Sequence, residues 1–339
     1  MTNRARLARV AVAVVVIALL PAVVPSFVVF DLIYVGVYTI AILGLVVLTG
    51  MNGQISLGHG AFMALGGYVV ATLAHHLGWP YWIGVPLAAI ASGAAGLLIG
   101  LIALRLAGVY LALATFSLAV AMPSFLKHFK SVTGGFGGLS LDQVKQPGWV
   151  PFDAQHWLYY LTWAVAGGAF LLSALLVRGK FGRALRALRD NPVAAMSFGV
   201  NPYVYKTLAF GWSAVLAGVA GGFFAMATAY VSPDTFTSAL SITLLIGAVL
   251  GGITTFWGAL VGGVVVEFLP LVAQQINAGA PGVVYGVSLI LVMMFVPGGI
   301  VGGVLRLVGL FVRKAPPQAT FEPYAPPAAP ATAGPNSHD

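Results

Sequence analysis

Residues 33–49 read IYVGVYTIAILGLVVLT, and residues 50–61 continue as GMNGQISLGHGA. The first stretch carries no formal charge and approaches the run of about 20 apolar residues that a helix needs to cross a hydrocarbon core of about 30 Å. The second stretch combines four glycines with several polar side chains, which do not suit a continuous helix facing lipid. This part of the sequence therefore predicts a membrane-spanning helix that ends in an interruption.

The composition of the whole chain indicates the same environment. Of its 339 residues, 60% are hydrophobic and 7% are charged, whereas soluble domains have about 45–50% apolar and about 25% charged residues. A soluble enzyme, a disordered protein and a nucleic-acid-binding protein are therefore excluded, and the lipid bilayer is the expected partner of much of the surface. The absence of cysteine excludes disulfides, a thiol nucleophile and a thiolate metal site.

The apolar segments predict an all-α polytopic bundle of about ten transmembrane helices, some of them interrupted. Their predicted bounds are 10–29, 33–49, 57–76, 82–104, 108–126, 156–177, 207–229, 239–256, 258–276 and 283–304. Three regions follow: a basic N-terminal segment with the first helix (1–32), a main helical domain (33–304), and a cytoplasmic tail (305–339). The tail is rich in Pro and Ala and is expected to be disordered, because it has too little apolar mass to form a core.

Basic residues predict the orientation of the bundle. Arg4, Arg6 and Arg9 precede a first segment that is too long for most signal-peptide cores and lacks a clear cleavage site, so we expect a retained helix. Ten spans then place most basic loop residues inside: Arg105, the six within 178–206, Arg306, Arg313 and Lys314. The outer exceptions are Lys127, Lys130 and Lys145. The positive-inside rule thus agrees with an even number of spans and with two cytoplasmic termini.

The interruption at 49–60 has two interpretations of equal weight. Irregular backbone at membrane depth must be buried in protein or line a cavity, and broken helices of this kind often form the substrate site of a transporter. Alternatively, the glycines admit neighbouring helices closely, and the polar side chains bond across them. Residues 251–259 echo residues 53–61 as Gly-x-Ile-(Ser/Thr)-x-x-x-Gly-Ala, a weak match in a chain with 43 glycines.

One acidic residue, Glu267, falls within a predicted span. A carboxylate at that depth is costly and is a functional candidate by default. We favour the structural interpretation, in which Glu267 is protonated or paired with a neighbouring helix or subunit, because no second acid accompanies it in a span.

The loop at 178–206 carries the most specific local pattern. In FGRALRALR (181–189), the apolar side chains of Phe181, Leu185 and Leu188 share one helical face, and three arginines, Arg183, Arg186 and Arg189, occupy another. Asn191-Pro192 predicts the start of a short helix, Gly199 its end, and Asn201-Pro202 the start of the next helix. Such a helix either rests on anionic lipid headgroups or docks a cytoplasmic partner.

Motifs for catalysis and cofactor binding are missing. Gly179-Lys180 lacks the upstream glycine of a P-loop, and no His-Glu-x-x-His zinc motif occurs. Ser56 and His59 are spaced three residues apart, but nothing in the sequence supplies an oriented base or an oxyanion site. We therefore expect no catalytic residue, no metal site and no cofactor in this chain, and we do not expect an enzyme.

The run LTGMNGQISLGHGAF (48–62) resembles the signature of permeases for branched-chain amino-acid ABC importers. The loop 181–199 is similar to that of the LivM type within this group. Further matching motifs follow in family order at 133–139, 230–233 and 250–258, so that the resemblance covers about 33–304.

This resemblance implies one permease subunit in the inner membrane of a bacterium. A second related permease, two cytoplasmic ATPases that hydrolyse ATP, and a periplasmic binding protein would complete an alternating-access importer. The family's docking loop, Glu-Ala-Ala-x-x-x-Gly, matches Ala194, Ala195 and Gly199, although Val193 replaces the acid. The resemblance therefore favours docking for the loop, including Arg183, Arg186 and Arg189. Gln54, Ser56 and His59 are the candidates for polar groups along the substrate pathway.

Other functions stay open at this point. Similar permeases carry urea and short amides, and the sequence does not separate these substrates from leucine, isoleucine and valine. An ATP-independent channel or secondary carrier would not need the docking pattern at 183–199. A non-transporting scaffold would leave the interruption at 53–60 unexplained.

Overall fold

The computed structural model describes residues 3–103, 106, 108–148, 151–276, 280–296 and 298–312. Its first helices are α1 (Asn3–Val23), α2 (Ser26–Leu45) with a terminal π-helical turn (Val46–Met51), α3 (His59–Leu77), α4 (Tyr81–Ala103), α5 (Val109–His128) and α6 (Lys130–Thr133). The central part contains strand β1 (Leu139–Ser140), α7 (Ala154–Arg178), α8 (Lys180–Asp190), α9 (Pro192–Ser197), α10 (Pro202–Thr228) and strand β2 (Tyr230–Val231). The last helices are α11 (Ser238–Gly251), α12 (Phe256–Ile276), α13 (Ala280–Phe295) and α14 (Gly299–Val312).

Nine segments of the described chain are helical, long and apolar enough to cross a membrane. They are 26–51, 59–77, 81–102, 109–128, 154–178, 202–228, 233–251, 256–275 and 282–307. The predicted fold class, an all-α polytopic bundle, is therefore confirmed, and nine of the ten predicted segments correspond to these helices.

The first predicted segment, 10–29, has the wrong bounds. Helix α1 ends at Val23, and α2 begins at Ser26, because Pro25 stands in extended conformation (φ −64°, ψ 156°) between them. Proline lacks the N–H that a continuing helix needs, and it disfavours helical backbone in the residue before it. The apolar part of α1 is only residues 11–23, shorter than a full span, and the predicted domain boundary at 32 falls inside α2.

The last predicted segment, 283–304, is also divided. Helix α13 ends at Phe295, and α14 begins at Gly299, which has a left-handed backbone with φ of +70°. Helix α14 continues to Val312, so the tail does not begin at 305 as predicted. Residues 313–339 lie outside the described chain.

Helix α10 is the centre of the bundle and packs against α2, α3 and α4. Small residues make this possible: a Cβ on Gly66 of α3 would overlap the carbonyl oxygen of Gly218, and a Cβ on Gly221 would overlap that of Met63. Larger side chains fill the remaining space, such as Phe62 and Phe210, whose ring centroids are 5.9 Å apart in an edge-to-face arrangement. Close backbone approach of this kind is how helices associate where lipid supplies no hydrophobic driving force.

A small cap covers one end of the bundle, where α3, α5 and α10 end. Strands β1 and β2 pair antiparallel, with Leu139 opposite Val231. The hydroxyl of Tyr230 donates to the Gly137 carbonyl over 2.9 Å, and Lys127 pairs with Asp234 at 2.6 Å. Helices α8 and α9 lie near the start of α10, at the other end of this long helix.

Candidate functional site

The connection between α2 and α3 is irregular and buried, as the sequence predicts. After the π-helical turn, Gly53 reverses the chain with a left-handed backbone (φ +73°), and no regular helix forms until His59. The side chains of Asn52, Gln54 and Ser56 in this connection are all buried. The segment 52–58, which we call the interruption, therefore buries its polar side chains, while Gly53 and Ile55 are exposed.

Side chains from other helices satisfy the backbone at the start of α3. Thr115 of α5 accepts a hydrogen bond from the Leu57 amide over 3.0 Å, and Ser241 of α11 accepts one from the Gly60 amide over 2.9 Å. Within the interruption, the Ser56 hydroxyl accepts from the Gly58 amide over 3.3 Å. These bonds supply partners that lipid would not provide.

Glycines in and beside the same segment also pack tightly, so the second interpretation has structural support as well. A Cβ on Gly58 would lie 2.9 Å from the Thr115 carbonyl oxygen, and one on Gly60 would lie 2.7 Å from the Ser241 hydroxyl oxygen. Buried irregular backbone and close helix packing therefore occur together at this site.

His59 is the first residue of α3 and is only 1% exposed. Its Nε2 lies 3.0 Å from the Ser213 hydroxyl of α10, and that hydroxyl donates its one proton to the Gly44 carbonyl over 2.8 Å. With the Ser213 proton directed at Gly44, the matching tautomer of His59 carries its proton on Nε2 and donates to Ser213. Its Nδ1 is left as a buried acceptor with no hydrogen-bond partner among the described residues.

The interruption reaches well into the bundle. Ser213 lies about 16 Å along α10 from Pro202, at a rise of 1.5 Å per residue, and His59 and Gly44 are at the same level. Helix α3 therefore begins inside the membrane span, and the irregular backbone of the interruption precedes it.

The three predicted pathway residues share this segment but have different surroundings. Gln54 accepts a hydrogen bond from the Asn52 amide group, Ser56 contacts the Gly58 amide, and His59 contacts Ser213. One described cavity, of about 280 Å³, lies among apolar residues of α4, α7, α8 and α10. A second, of about 180 Å³, lies between α4 and α5 and has Thr115 in its lining. Neither cavity is lined by the three candidates, so their role in a pathway stays a prediction.

Sequence reasoning missed the polar residues that other helices bring to this cluster. Thr115, Ser213 and Ser241 are each at most 1% exposed and surround the start of α3. Each is one of several hydroxyl residues in a largely apolar helix, and the chain contains many more. Only the helix packing distinguishes the three that meet here.

The local structure predicted for the loop 178–206 is confirmed. Helix α8 buries Leu185 and Leu188 and exposes Arg183 and Arg186. The Asn191 side chain caps α9 by accepting from the Ala194 amide over 3.0 Å. Likewise, the Asn201 side chain caps α10 by accepting from the Tyr203 amide over 2.9 Å. Gly199 has the left-handed backbone (φ +79°) that suits the end of a helix.

Helix α9 presents an apolar surface to its surroundings. Val193 is 70% exposed and Phe198 is 88% exposed, with Met196 beside them. Of the two predicted alanines, Ala195 is buried and Ala194 is exposed. The sequence pattern predicted the helix but not this apolar tip. The feature of the sequence that could have indicated the tip is the aromatic residue directly before Gly199.

Arg189 differs from the other two arginines of α8. Its guanidinium donates to the carbonyl oxygen of Gly50, at the end of the π-helical turn. Within the described chain, Arg183 and Arg186 make no hydrogen bond or ion pair. The three arginines of α8 therefore differ in their contacts: Arg183 and Arg186 face outward, and Arg189 is bonded to the π-helical turn before the interruption.

The region of the sequence echo at 251–259 also proves to be a connection between helices. Residues 252–255 join α11 to α12, and Gly252 has a positive φ of +119°. The π-helical turn just before the first echoing region touches the second one, because Gly50 packs against the carbonyl group of Ile253.

Glu267 lies half-buried in α12. The neighbouring Val266 carbonyl accepts a hydrogen bond from Tyr285 of α13 over 2.8 Å. No ion pair to Glu267 is present in the described part of the chain. In the described part of the chain this carboxyl therefore has no ion-pair partner. The expectation that no second acid lies in a span is wrong, because Asp31 falls within the span 26–51. The role of Glu267 stays a prediction.

Comparison with known proteins gives one consistent result. A family model described as the permease component of the branched-chain amino acid transport system matches residues 27–297. The high-affinity branched-chain amino acid transport system permease protein LivM of Salmonella typhimurium is 32% identical over 289 residues, which cover 78% of this chain and 67% of the relative. LivM of Escherichia coli K12 is 31% identical over the same coverage.

A second type of permease is also similar. LivH of Escherichia coli K12, described in the same terms, is 27% identical over 281 residues, which cover 78% of this chain and 91% of the relative. No solved structure matches the chain significantly.

Proposed function

Because this chain belongs to the family of branched-chain amino acid transport permeases, we propose that it is the membrane-spanning permease subunit of an ATP-driven importer of leucine, isoleucine and valine. The observation that carries the proposal is the family match over 27–297, with 32% identity to a LivM protein. That range contains all nine full-length apolar helices except the first residue of the first one and the end of the last one.

The proposed assembly supplies what this chain lacks. A second permease of the same family would complete the translocation path, and the similarity to both LivM and LivH proteins supports such a pair. Two cytoplasmic ATPases would bind and hydrolyse ATP, since the sequence has no P-loop of its own. A periplasmic binding protein would deliver the amino acid, and this chain would hold no cofactor.

Helices α8 and α9 are the proposed docking site for one ATPase. The apolar tip formed by Val193, Met196 and Phe198 is exposed on a helix that is capped at its start, so it is presented in one orientation. Arg183 and Arg186 are exposed on the preceding helix α8 and add positive charge to the same loop. Because position 193 is valine, the contact here would be apolar rather than ionic, and the exposed aromatic ring would be its anchor.

The start of α3 is the proposed moving part of the pathway. Gln54 and Ser56 belong to a segment without helical hydrogen bonds, which can change conformation at a lower cost than a continuous helix. His59 follows this segment directly as the first residue of α3. Alternating access requires two conformations with different partner contacts. The hydroxyls of Thr115, Ser213 and Ser241 would hold the interruption in one of them.

The proposed location is the inner membrane of a bacterium, with α8 and α9 in the cytoplasm. Six basic residues lie between Arg178 and Lys206, and the positive-inside rule places such loops on the cytoplasmic side.

Uptake of labelled leucine and labelled urea tests the proposal. The strains are a deletion mutant and the same mutant carrying the gene, each with ATP present or depleted while the membrane potential is maintained. We expect leucine uptake only with both the gene and ATP. Urea uptake with the same dependence would keep the importer and change its substrate, and restored uptake without ATP would exclude the ATP-driven mechanism.

A further inference from the structure

One side chain connects the surface helix α8 directly to the interruption. Arg189 stands one residue before the end of α8, and its guanidinium donates to the carbonyl oxygen of Gly50 across 139 positions of sequence. The aliphatic part of the same side chain lies over Gly53, where a Cβ would come within 3.1 Å of the Arg189 Cγ. The two contacts hold both sides of the turn between the π-helical segment and the interruption.

The bond to Gly50 meets a chemical need of that turn. The last carbonyl groups of a helix have no partner within the helix, and the helix dipole makes this end negative. An arginine donor is therefore well placed, and its hydrogen bond is charge-assisted. Leu48 and Thr49 accept from the amides of Gln54 and Gly53 instead, which leaves the Gly50 carbonyl to Arg189.

The other end of the connection is firmly held. Leu185 and Leu188 of α8 are at most 1% exposed, and Gly182 lies against the backbone of Val177 at the end of α7. These contacts attach α8 to the bundle, so that a displacement of α8 also moves the base of the Arg189 side chain.

Gly50 is in turn packed against the other helix connections. The Cα of Gly50 packs against the Ile253 carbonyl in the turn between α11 and α12. Gly252 of that turn packs against Gly299 at the start of α14. Each contact is between backbones and has no room for a side chain. Three helix connections therefore form one packed group, and Arg189 is the attachment of α8 to it.

We propose that Arg189 is the positioning residue that transmits movement of the docked helices α8 and α9 to the interruption and to the turn at 252–255. The proposal rests on the proposed function, because it needs an ATPase that moves α9. The capped α9 receives the movement, α8 carries it, and Arg189 applies it to the peptide of Gly50. Loss of the Arg189 contact should therefore impair transport without impairing ATPase binding or ATP hydrolysis.

Substitution of Arg189 tests this role in the purified complex with its partner subunits, reconstituted in liposomes. The readouts are ATPase subunits retained on purification, ATP hydrolysed, and leucine transported. For Arg189→Ala we expect retained subunits and hydrolysis, with leucine transported per ATP reduced about tenfold or more, since one charge-assisted hydrogen bond is lost. Arg189→Lys, which keeps one donor, should lie between this variant and the unsubstituted chain.

Arg178→Ala is the matched control, because Arg178 is an exposed arginine at the end of α7 near the same surface. Its ratio of leucine to ATP should equal that of the unsubstituted chain. If Arg189→Ala equals Arg178→Ala in this ratio, the proposed role is wrong while the importer stands. If the unsubstituted complex itself does not couple leucine transport to ATP, the proposed function fails instead.

A disulfide provides a second test, which a general loss of folding would not imitate. A Cβ on Gly53 would lie 3.7 Å from the Arg189 Cβ, within the range of about 3.5–4.5 Å found in disulfides, and the chain has no other cysteine. Because the left-handed backbone of Gly53 (φ +73°) strains any side chain, Gly53→Cys alone is the control. In the pair Gly53→Cys with Arg189→Cys, we expect coupling to be lost when reduced and recovered when oxidised. Normal coupling of transport to ATP hydrolysis in the reduced pair would overturn the proposal. So would a failure to recover coupling on oxidation when Gly53→Cys alone couples normally.

Discussion

At the scale of single residues, the start of α3 depends on shared hydrogen bonds. The Ser213 hydroxyl donates to the Gly44 carbonyl and accepts from His59 Nε2, so that one small side chain serves groups on two other helices. Both partners are buried. A buried polar group that loses its partner keeps the full cost of its desolvation, about 1–3 kcal/mol.

Replacing this serine should therefore destabilise the folded protein. We expect Ser213→Ala to lower the free energy of unfolding by about 1–3 kcal/mol, because it removes the bond to the Gly44 carbonyl and leaves the buried His59 Nε2 without its partner. Thermal unfolding in detergent measures the change. Ser117→Ala is the control, because Ser117 is exposed and bonds only within its own helix to Leu113. Equal midpoints for the two variants would show that the triangle of Ser213, His59 and Gly44 contributes little.

Glycines make a second contribution at this scale, through the distance between α3 and α10. We expect Gly66→Ala to cost about 1–3 kcal/mol, because its Cβ would overlap the carbonyl oxygen of Gly218 and push the two helices apart. Gly167→Ala makes the same change in α7, where nothing lies within 4 Å. The control should keep its unfolding temperature, and a loss of stability in both variants would show that the effect is not specific to the crossing.

The sequence predicted the residues of the interruption but not their partners. Glycines and polar side chains in an otherwise apolar run identify 49–60 by themselves, since lipid satisfies neither. The partners Thr115, Ser213 and Ser241 lie 58, 154 and 181 residues away from the groups that they contact. No local pattern encodes such distances, because they follow from which helices pack together.

At the scale of helices, the loop 178–206 is the part that the sequence predicted best. Each helix cap in this loop bonds to an amide no more than three residues away: Asn191 to the Ala194 amide and Asn201 to the Tyr203 amide. Such short-range bonds can be inferred from residue type and spacing. The helix ends at Pro25 and Phe295 were missed, because the apolar composition continues through both breaks.

The apolar tip of α9 leads to a prediction about assembly. We expect Phe198→Ala to weaken binding of the ATPase subunit about tenfold, the effect of removing one central aromatic contact of about 1.4 kcal/mol. Phe198 is 88% exposed, so the folded permease should keep its unfolding temperature. Titration of the ATPase into permease held in nanodiscs measures the affinity.

Phe136→Ala is the control for this titration. Phe136 is 70% exposed beside the cap formed by β1 and β2, at the other end of the bundle. Its removal should leave ATPase affinity unchanged. An ATPase that binds Phe198→Ala and Phe136→Ala equally well would place its docking surface elsewhere.

At the scale of the whole molecule, α10 separates two polar regions. The basic loop of α8 and α9 joins its start, and the cap of β1 and β2 follows its end. A helix of 27 residues is about 40 Å long, more than the hydrocarbon thickness of about 30 Å. The two regions therefore face opposite sides of the membrane, and their charges decide which side is which.

The charge distribution predicts that the basic loop is inside. Six basic residues between Arg178 and Lys206 outnumber the outer exceptions Lys127, Lys130 and Lys145, and the structure pairs Lys127 with Asp234. The short α1 makes the position of the N-terminus a separate question, because its apolar part, residues 11–23, is less than a full span.

Single cysteines placed in the cysteine-free chain would test this orientation. Gln143 and Ser197 are exposed, the first near the cap and the second in α9. With a maleimide that does not cross membranes, we expect Gln143→Cys to react in spheroplasts and Ser197→Cys to react only after permeabilisation. The reverse pattern would invert the proposed orientation.

A cysteine at Thr2 then decides the role of α1. Labelling only after permeabilisation means that α1 crosses the membrane and that both termini are cytoplasmic. Labelling in spheroplasts means that the nine longer helices alone span the membrane.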